Sequence, residues 1–130
     1  MKNMSKVQDH TNNEKNIFTD LDCILVKMCI PQHLLGYKYF RFMVEQSIQN
    51  PALTKTSKEA YSLCATHFNT SLTACENAIK RALSNFWYSN NLDNLTAFLR
   101  HHYSVNCGIP SDFDVIVFLA LYLRAKHNYS

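Results

Sequence analysis

The chain has 130 residues, of which 47% are hydrophobic and 12% aromatic, with a formal net charge of +3. That length suits one domain, the hydrophobic share excludes a chain disordered throughout, and the mild basic excess permits nucleic-acid binding without demanding it. The longest apolar run, Val115 to Leu123, falls short of the about 20 residues that cross a bilayer, and no apolar segment follows the first lysines, so a cytoplasmic protein without a membrane partner is expected.

Two glycines, three prolines and long segments of 3.6-residue periodicity, with no run of alternating apolar and polar residues, place the fold in the all-α class with about six helices. Five cysteines, Cys23, Cys29, Cys64, Cys75 and Cys107, are an odd number without a C-x-x-C pair. They read as small core residues in a reducing compartment, with no metal and no disulfide expected.

Residues 1–18 are polar and of mixed charge, and are expected to form a mobile tail before a helical domain at 19–130. A first helix is predicted over Thr19 to Cys29, with Leu21, Ile24, Leu25 and Met28 on one face, ending ahead of Pro31. A longer one runs from about Leu34 to Gln49, burying Tyr37, Phe40, Met43, Val44 and Ile48, and Asn50-Pro51 stops it. Thr56 with Glu59 forms a capping-box pattern for a helix from Lys58 to Phe68, whose stripe is Ala60, Tyr61, Cys64, Ala65 and Phe68. Asn69 suits the left-handed position after it. Thr73 with Glu76 is a second capping-box pattern, and Cys75, Ala78, Ile79, Ala82, Leu83, Phe86 and Trp87 make the apolar stripe of a helix over about 73–88. Beyond Asn90-Asn91 a short helix carries Leu92, Leu95, Phe98 and Leu99, followed by the basic cluster Arg100, His101 and His102. Ser111 with Asp114 opens the last helix, and Arg124, Lys126 and His127 suit its C-terminal dipole. That helix is apolar on two sides. Phe113, Ile116, Val117 and Ala120 make one; Val115, Phe118, Leu119 and Tyr122 make the other. Val115, Phe118 and Tyr122 are therefore a candidate face for a homodimer, with burial in the protein's own core the equal alternative.

Two helices joined by the polar turn at 67–72 have the outline of a helix-turn-helix, although an ordinary helical hairpin has the same pattern. On the outer side of the second helix stand Asn77, Lys80, Arg81, Ser84 and Tyr88. Placed in a major groove, Asn77 pairs with adenine N6 and N7, Glu76 accepts from cytosine N4, and Lys80 and Arg81 reach bases or phosphates. Thr73 and Ala74 share that first turn. Lys58, Thr70, Ser71, Arg100 and His101 are candidates to hold phosphates. As the third residue of a capping box, Glu76 has a competing role inside its own helix.

Several segments together resemble one family. They are Ile30-Pro31-x-His33-x-x-Gly36-Tyr37-x-Tyr39-x-Arg41, the turn Asn69-Thr70, Glu76-x-Ala78-Ile79, Trp87 ahead of Asn91-x-Asp93, and Pro110 ahead of the last helix. In this order they are similar to the effector domain of the sporulation initiation response regulators, over about residues 20–128. The resemblance implies a bundle of six helices with a helix-turn-helix, binding to promoter double-stranded DNA, transcriptional activation or repression in endospore-forming bacteria, and contact with the RNA polymerase sigma subunit. It also implies a nucleoid-associated protein. Two departures stand out. The family's regulators carry a phosphorylatable receiver domain ahead of the effector, where here a short polar tail stands. The family pattern also has arginines at the positions of Ala74, Asn77 and Lys80 and a histidine at that of Arg81, so a base preference shifted from guanine toward adenine opposite Asn77 is expected.

The alternative function is a protein-interaction module that modulates full-length relatives without touching DNA. A contiguous basic face around Thr73, Lys80 and Arg100 favours DNA, and a broken one favours that module. An enzyme is not expected. The six histidines lack metal-ligand spacing, no Gly-rich phosphate loop exists, and no cysteine has an activating partner in sequence, so no catalytic residue and no cofactor is assigned.

Overall fold

A computed structural model of the chain describes residues 16–88 and 111–129. Among them the backbone forms five α-helices and one 3-10 turn and no strand. Helix α1 covers 16–27, α2 Leu35–Gln49, a 3-10 turn Pro51–Lys55, α3 Ser57–His67, α4 Leu72–Tyr88 and α5 Asp112–Lys126. The all-α reading and the embedded helix-turn-helix hold. The short helix over 92–99, the cluster Arg100 to His102, the loop to Pro110 and Cys107 lie outside the described residues, as do the side chains of Trp87 and Tyr88.

Helix α2 is the hub, packing against α3, α4 and α5. Its face of Tyr39, Phe40, Met43, Val44 and Ile48 is buried, as are Leu21, Leu25 and Met28 of the α1 segment, Cys64 of α3, Ile79, Leu83 and Phe86 of α4, and Val115, Ile116 and Leu119 of α5. Each fully buried large side chain contributes about 1.5–3 kcal/mol, and stability on this scale comes from the shared core rather than from any one helix.

Gly36, in the first turn of α2, lets that helix lie directly against α4. A Cβ built there would overlap the carbonyl oxygen of Ala78 and stand 2.7 Å from Cβ of Ala82. No other residue type fits without moving one helix, so this glycine sets the depth at which α4 sits.

The helix ends follow one pattern that sequence disclosed at a single place. Asn69 is left-handed, with φ 54°, and the N–H groups of Thr70 and Asn69 donate to the carbonyls of Ala65 and Thr66. Cys29 (φ 62°) and Asn128 (φ 51°) close α1 and α5 with the same pair of bonds, the Schellman arrangement. Helix α1 thus ends at 27, two residues short of the predicted Cys29, because this left-handed cap stops it before Pro31 is reached.

Three other expectations are corrected. Of the tail read at 1–18, residues 1–15 lie outside the described residues, whereas 16–18 belong to the first turn of α1, with Ile17 fully buried. Neither Thr box forms: Thr56 caps α3 without a side-chain hydrogen bond, and α4 starts at Leu72, one residue ahead of Thr73. Ser71 caps it instead, its Oγ accepting from the Ala74 N–H at 3.0 Å. Cys23 and Cys29 are exposed, whereas Cys64 and Cys75 are core residues whose sulfurs lie 3.6 Å apart between α3 and α4. Burial pushes both of those thiols above their ordinary value, which disfavours the reactive thiolate.

The closing helix is tied at its C-terminal end. Arg124 donates to the Ile48 carbonyl of α2, and Asp20 of α1 accepts from Lys126 at 2.8 Å and meets Nε2 of His127 at 3.0 Å. Nearby, Asp22 holds Nε of Arg41 at 2.6 Å, and the same guanidinium reaches Glu45 at 2.6 Å. These bonds fasten α1 across α2 and α5.

Candidate nucleic-acid interface

Helices α3 and α4 meet through the turn that Asn69 closes, and α4 presents two unlike sides. Cys75, Ile79, Ala82, Leu83 and Phe86 face the core with no exposure, while Thr73, Glu76, Asn77, Lys80 and Arg81 are exposed. The 3.6-residue period accounts for this division, and Gly36 fixes how far the outer side projects. Ala74 is half-buried and its N–H is engaged by Ser71, so it offers no polar atom to a base. Ser84 is half-buried and donates its hydroxyl to the Arg81 carbonyl at 2.7 Å, which turns it inward along its own helix.

Because Ser71 rather than Thr73 caps α4, Glu76 is released from the capping role that its spacing suggested. Its carboxylate lies one turn before Lys80 on the same face. Lys58, at the start of α3, is exposed, and at the turn before α4 Thr70 is half-buried and Ser71 exposed. Arg100 and His101 lie outside the described residues.

Lys58, Tyr61, Glu76, Asn77, Lys80 and Asp112 line one open cleft of about 570 Å³ between α3, α4 and the start of α5. Ser111 caps α5 there, accepting from the Asp114 N–H at 3.1 Å, and leaves Asp112 as the first helical residue with its carboxylate at the cleft. Burial raises the Asp112 carboxyl above the ordinary carboxylate value, and the Lys80 ammonium pulls it partly back. Burial likewise raises the Tyr61 phenol, reinforced by the charges of Asp112 and Glu76. The cationic side of α4 is therefore interrupted by two acids, one its own and one from α5. Sequence reading missed Asp112 because it stands far along the chain from Lys80 and nothing local pairs them; Ser111 and Asp114 alone carried a signal, as cap residues.

On the candidate dimer face, Val115 is fully buried in the protein's own core and is withdrawn from it. Phe118 and Tyr122 are half-buried, with their rings stacked at 6.1 Å. The two-sided apolarity of α5 is met by packing within the chain, since Ile116, Leu119, Ala120 and Leu123 are buried as well. Among the described residues no His, Cys, Asp or Glu cluster is arranged to hold a metal ion, and no helix is long and apolar enough to cross a membrane.

A comparison with protein-family models matches residues 21–123 to the family described as sporulation initiation factor Spo0A C terminal, the DNA-binding effector domain of that sporulation regulator.

Proposed function

The chain belongs to the Spo0A C-terminal family, and from that premise we propose that it is a sequence-specific DNA-binding regulator of transcription that inserts α4 into the major groove. One observation carries this reading. The outer side of α4 is a row of exposed polar and cationic side chains, Thr73, Glu76, Asn77, Lys80 and Arg81, on a helix held rigidly by a fully buried opposite side. In that pose Asn77 reads adenine, Glu76 accepts from cytosine N4, Lys80 and Arg81 meet bases or phosphates, and Lys58, Thr70 and Ser71 hold the backbone. Arg100, His101 and the sigma subunit of RNA polymerase complete the proposed contacts.

A second reading, an interaction module acting on relatives without DNA, is favoured by the acidic interruption at Glu76 and Asp112. Selection of bound duplexes from a random pool separates the two. The expected result is enrichment of one site with adenine opposite Asn77. Asn77→Ala should then cost about 1–3 kcal/mol on that site alone, while Arg81→Ala weakens binding to all sequences and lowers the salt slope by about one. Absence of enrichment at low salt would establish the interaction module as the better account.

A further inference from the structure

We propose that Cys64 and Cys75 are a redox modification site, a dithiol that a low-molecular-weight disulfide oxidises to a cross-link locking α3 to α4 across the turn. The inference stands independently of the DNA-binding reading. Cys75 donates its thiol hydrogen to the sulfur of Cys64 at 3.6 Å, and Cys64 directs its own at the Tyr39 carbonyl of α2 at 4.0 Å. Both side chains are fully buried, and buried neighbours anchor each on its own helix, Ala60, Tyr61 and Ala65 on α3 and Ile79 on α4. Two sulfurs from separate helices are thus held in contact. A disulfide is about 2.05 Å long, so closing it takes about 1.6 Å, which side-chain rotation and a small shift of the first turn of α4 supply. The two cysteines stand 11 residues apart, and the loop that their bond closes contains the left-handed Asn69 and the Ser71 cap.

The exchange balances with the small disulfide as its one co-reactant. Cys75, in the first turn of α4 where a helix N-terminus favours a thiolate, loses its proton and attacks one sulfur of the reagent, which expels a thiolate. The Cys64 thiolate then attacks the Cys75 sulfur of the mixed disulfide and expels the second. Two protons pass from the cysteines to the two released thiolates, and two electrons pass from the cysteines to the reagent. Burial raises both thiols above their ordinary value and also keeps the reagent out, so the reaction waits for the turn end of the helix pair to open. Cys23 and Cys29 are exposed and face no such wait.

The test is incubation of the native full chain with glutathione disulfide, followed by alkylation of the remaining thiols and peptide mapping. The expected order is rapid mixed-disulfide formation at Cys23 and Cys29, then slower appearance of a Cys64 to Cys75 cross-link that carries no glutathione. In a Cys23→Ser, Cys29→Ser background the cross-linked protein should melt about 10 °C above its reduced form, and dithiothreitol should restore the lower value. Cys64→Ala and Cys75→Ala should each abolish both the cross-link and the rise, and where one variant fails to fold the other carries the comparison. Recovery of Cys64 and Cys75 as alkylated thiols after exhaustive oxidation in native buffer overturns the inference, as does a cross-link that forms only in urea. Pairing of either with another cysteine in place of its neighbour has the same consequence. A cross-link that leaves the melting temperature unchanged or lower overturns the lock.

Discussion

An aspartate stands at each end of helix α5, Asp20 of α1 at the C-terminal end and its own Asp112 at the N-terminal end, and the two are treated in opposite ways. At its C-terminal end Asp20 has Lys126 and His127 within 3.0 Å, and although burial pushes its carboxyl upward, those two hydrogen bonds outweigh it and hold the group below the ordinary value. At its N-terminal end Asp112 is raised, because burial dominates and Lys80 acts only across the cleft. A carboxylate with partners at bonding distance ties helices together, whereas one left in a cleft with only a distant cation makes no such tie and bears the desolvation of its charged form. The contrast separates the fastening of α1 from the surface beside α4.

The largest way to disturb that contrast is through the seat of α4. Gly36→Ala puts a methyl against Ala78 and Ala82, and overpacking of this kind costs about 1–3 kcal/mol. Urea denaturation should show that loss, and because α4 shifts relative to α5 while α1 is untouched, DNA affinity should fall even where the variant remains fully folded. Wild-type stability would mean that α2 and α4 do not approach so closely.

A smaller effect is expected at the fastened end. Asp20→Asn removes a half-exposed pair, worth up to about 1 kcal/mol at neutral pH. The folded carboxyl titrates below 3.8, so its contribution is full above that value and is lost as pH falls through the lowered one. The gap in melting temperature between the Asp20→Asn variant and the wild type should therefore close in strong acid, and a gap constant with pH would assign the loss to packing.

The smallest effect, and opposite in sign, belongs to the cleft. For Asp112 the folded carboxyl titrates above 3.8, so its stability is full below that value and is lost as pH rises through the raised one. Asp112→Asn should raise stability at pH 7 by a few tenths of a kcal/mol, as expected of a surface change, and the gain should vanish at about pH 3. A loss at pH 7 would show that Asp112 serves the α5 dipole more than it suffers from burial.

Local patterns carried the helices, because a 3.6-residue stripe, a proline and a capping serine or left-handed asparagine act within one or two turns of themselves. The stripes of α2, α3 and α4, apart from Tyr37 and Phe68, which are only half-buried, the cap at Ser111 and the left-handed Asn69 were legible for that reason, and so was the outer row of α4. Where two local signals competed, sequence misjudged the winner. Ser71 and Thr73 are both acceptable caps, and the hydrogen bond from the Ala74 N–H to Ser71 Oγ makes the earlier one the cap. Ile17 looked like the end of a tail because one apolar residue has no period, yet the space it fills in the core starts α1 nearly a turn earlier than the polar composition suggested.

Sequence by itself therefore determined the class of the fold, the family and which side of α4 faces outward, since each follows from the spacing of near neighbours or from the order of segments along the chain. Tertiary structure alone decided that Val115 is core rather than surface, that Gly36 is the contact point between helices, and that Asp112 and Lys80 line one cleft. Those are relations between segments distant in the chain. Their free energies depend on burial and on separations of a few ångströms, and neither quantity exists until the helices have packed.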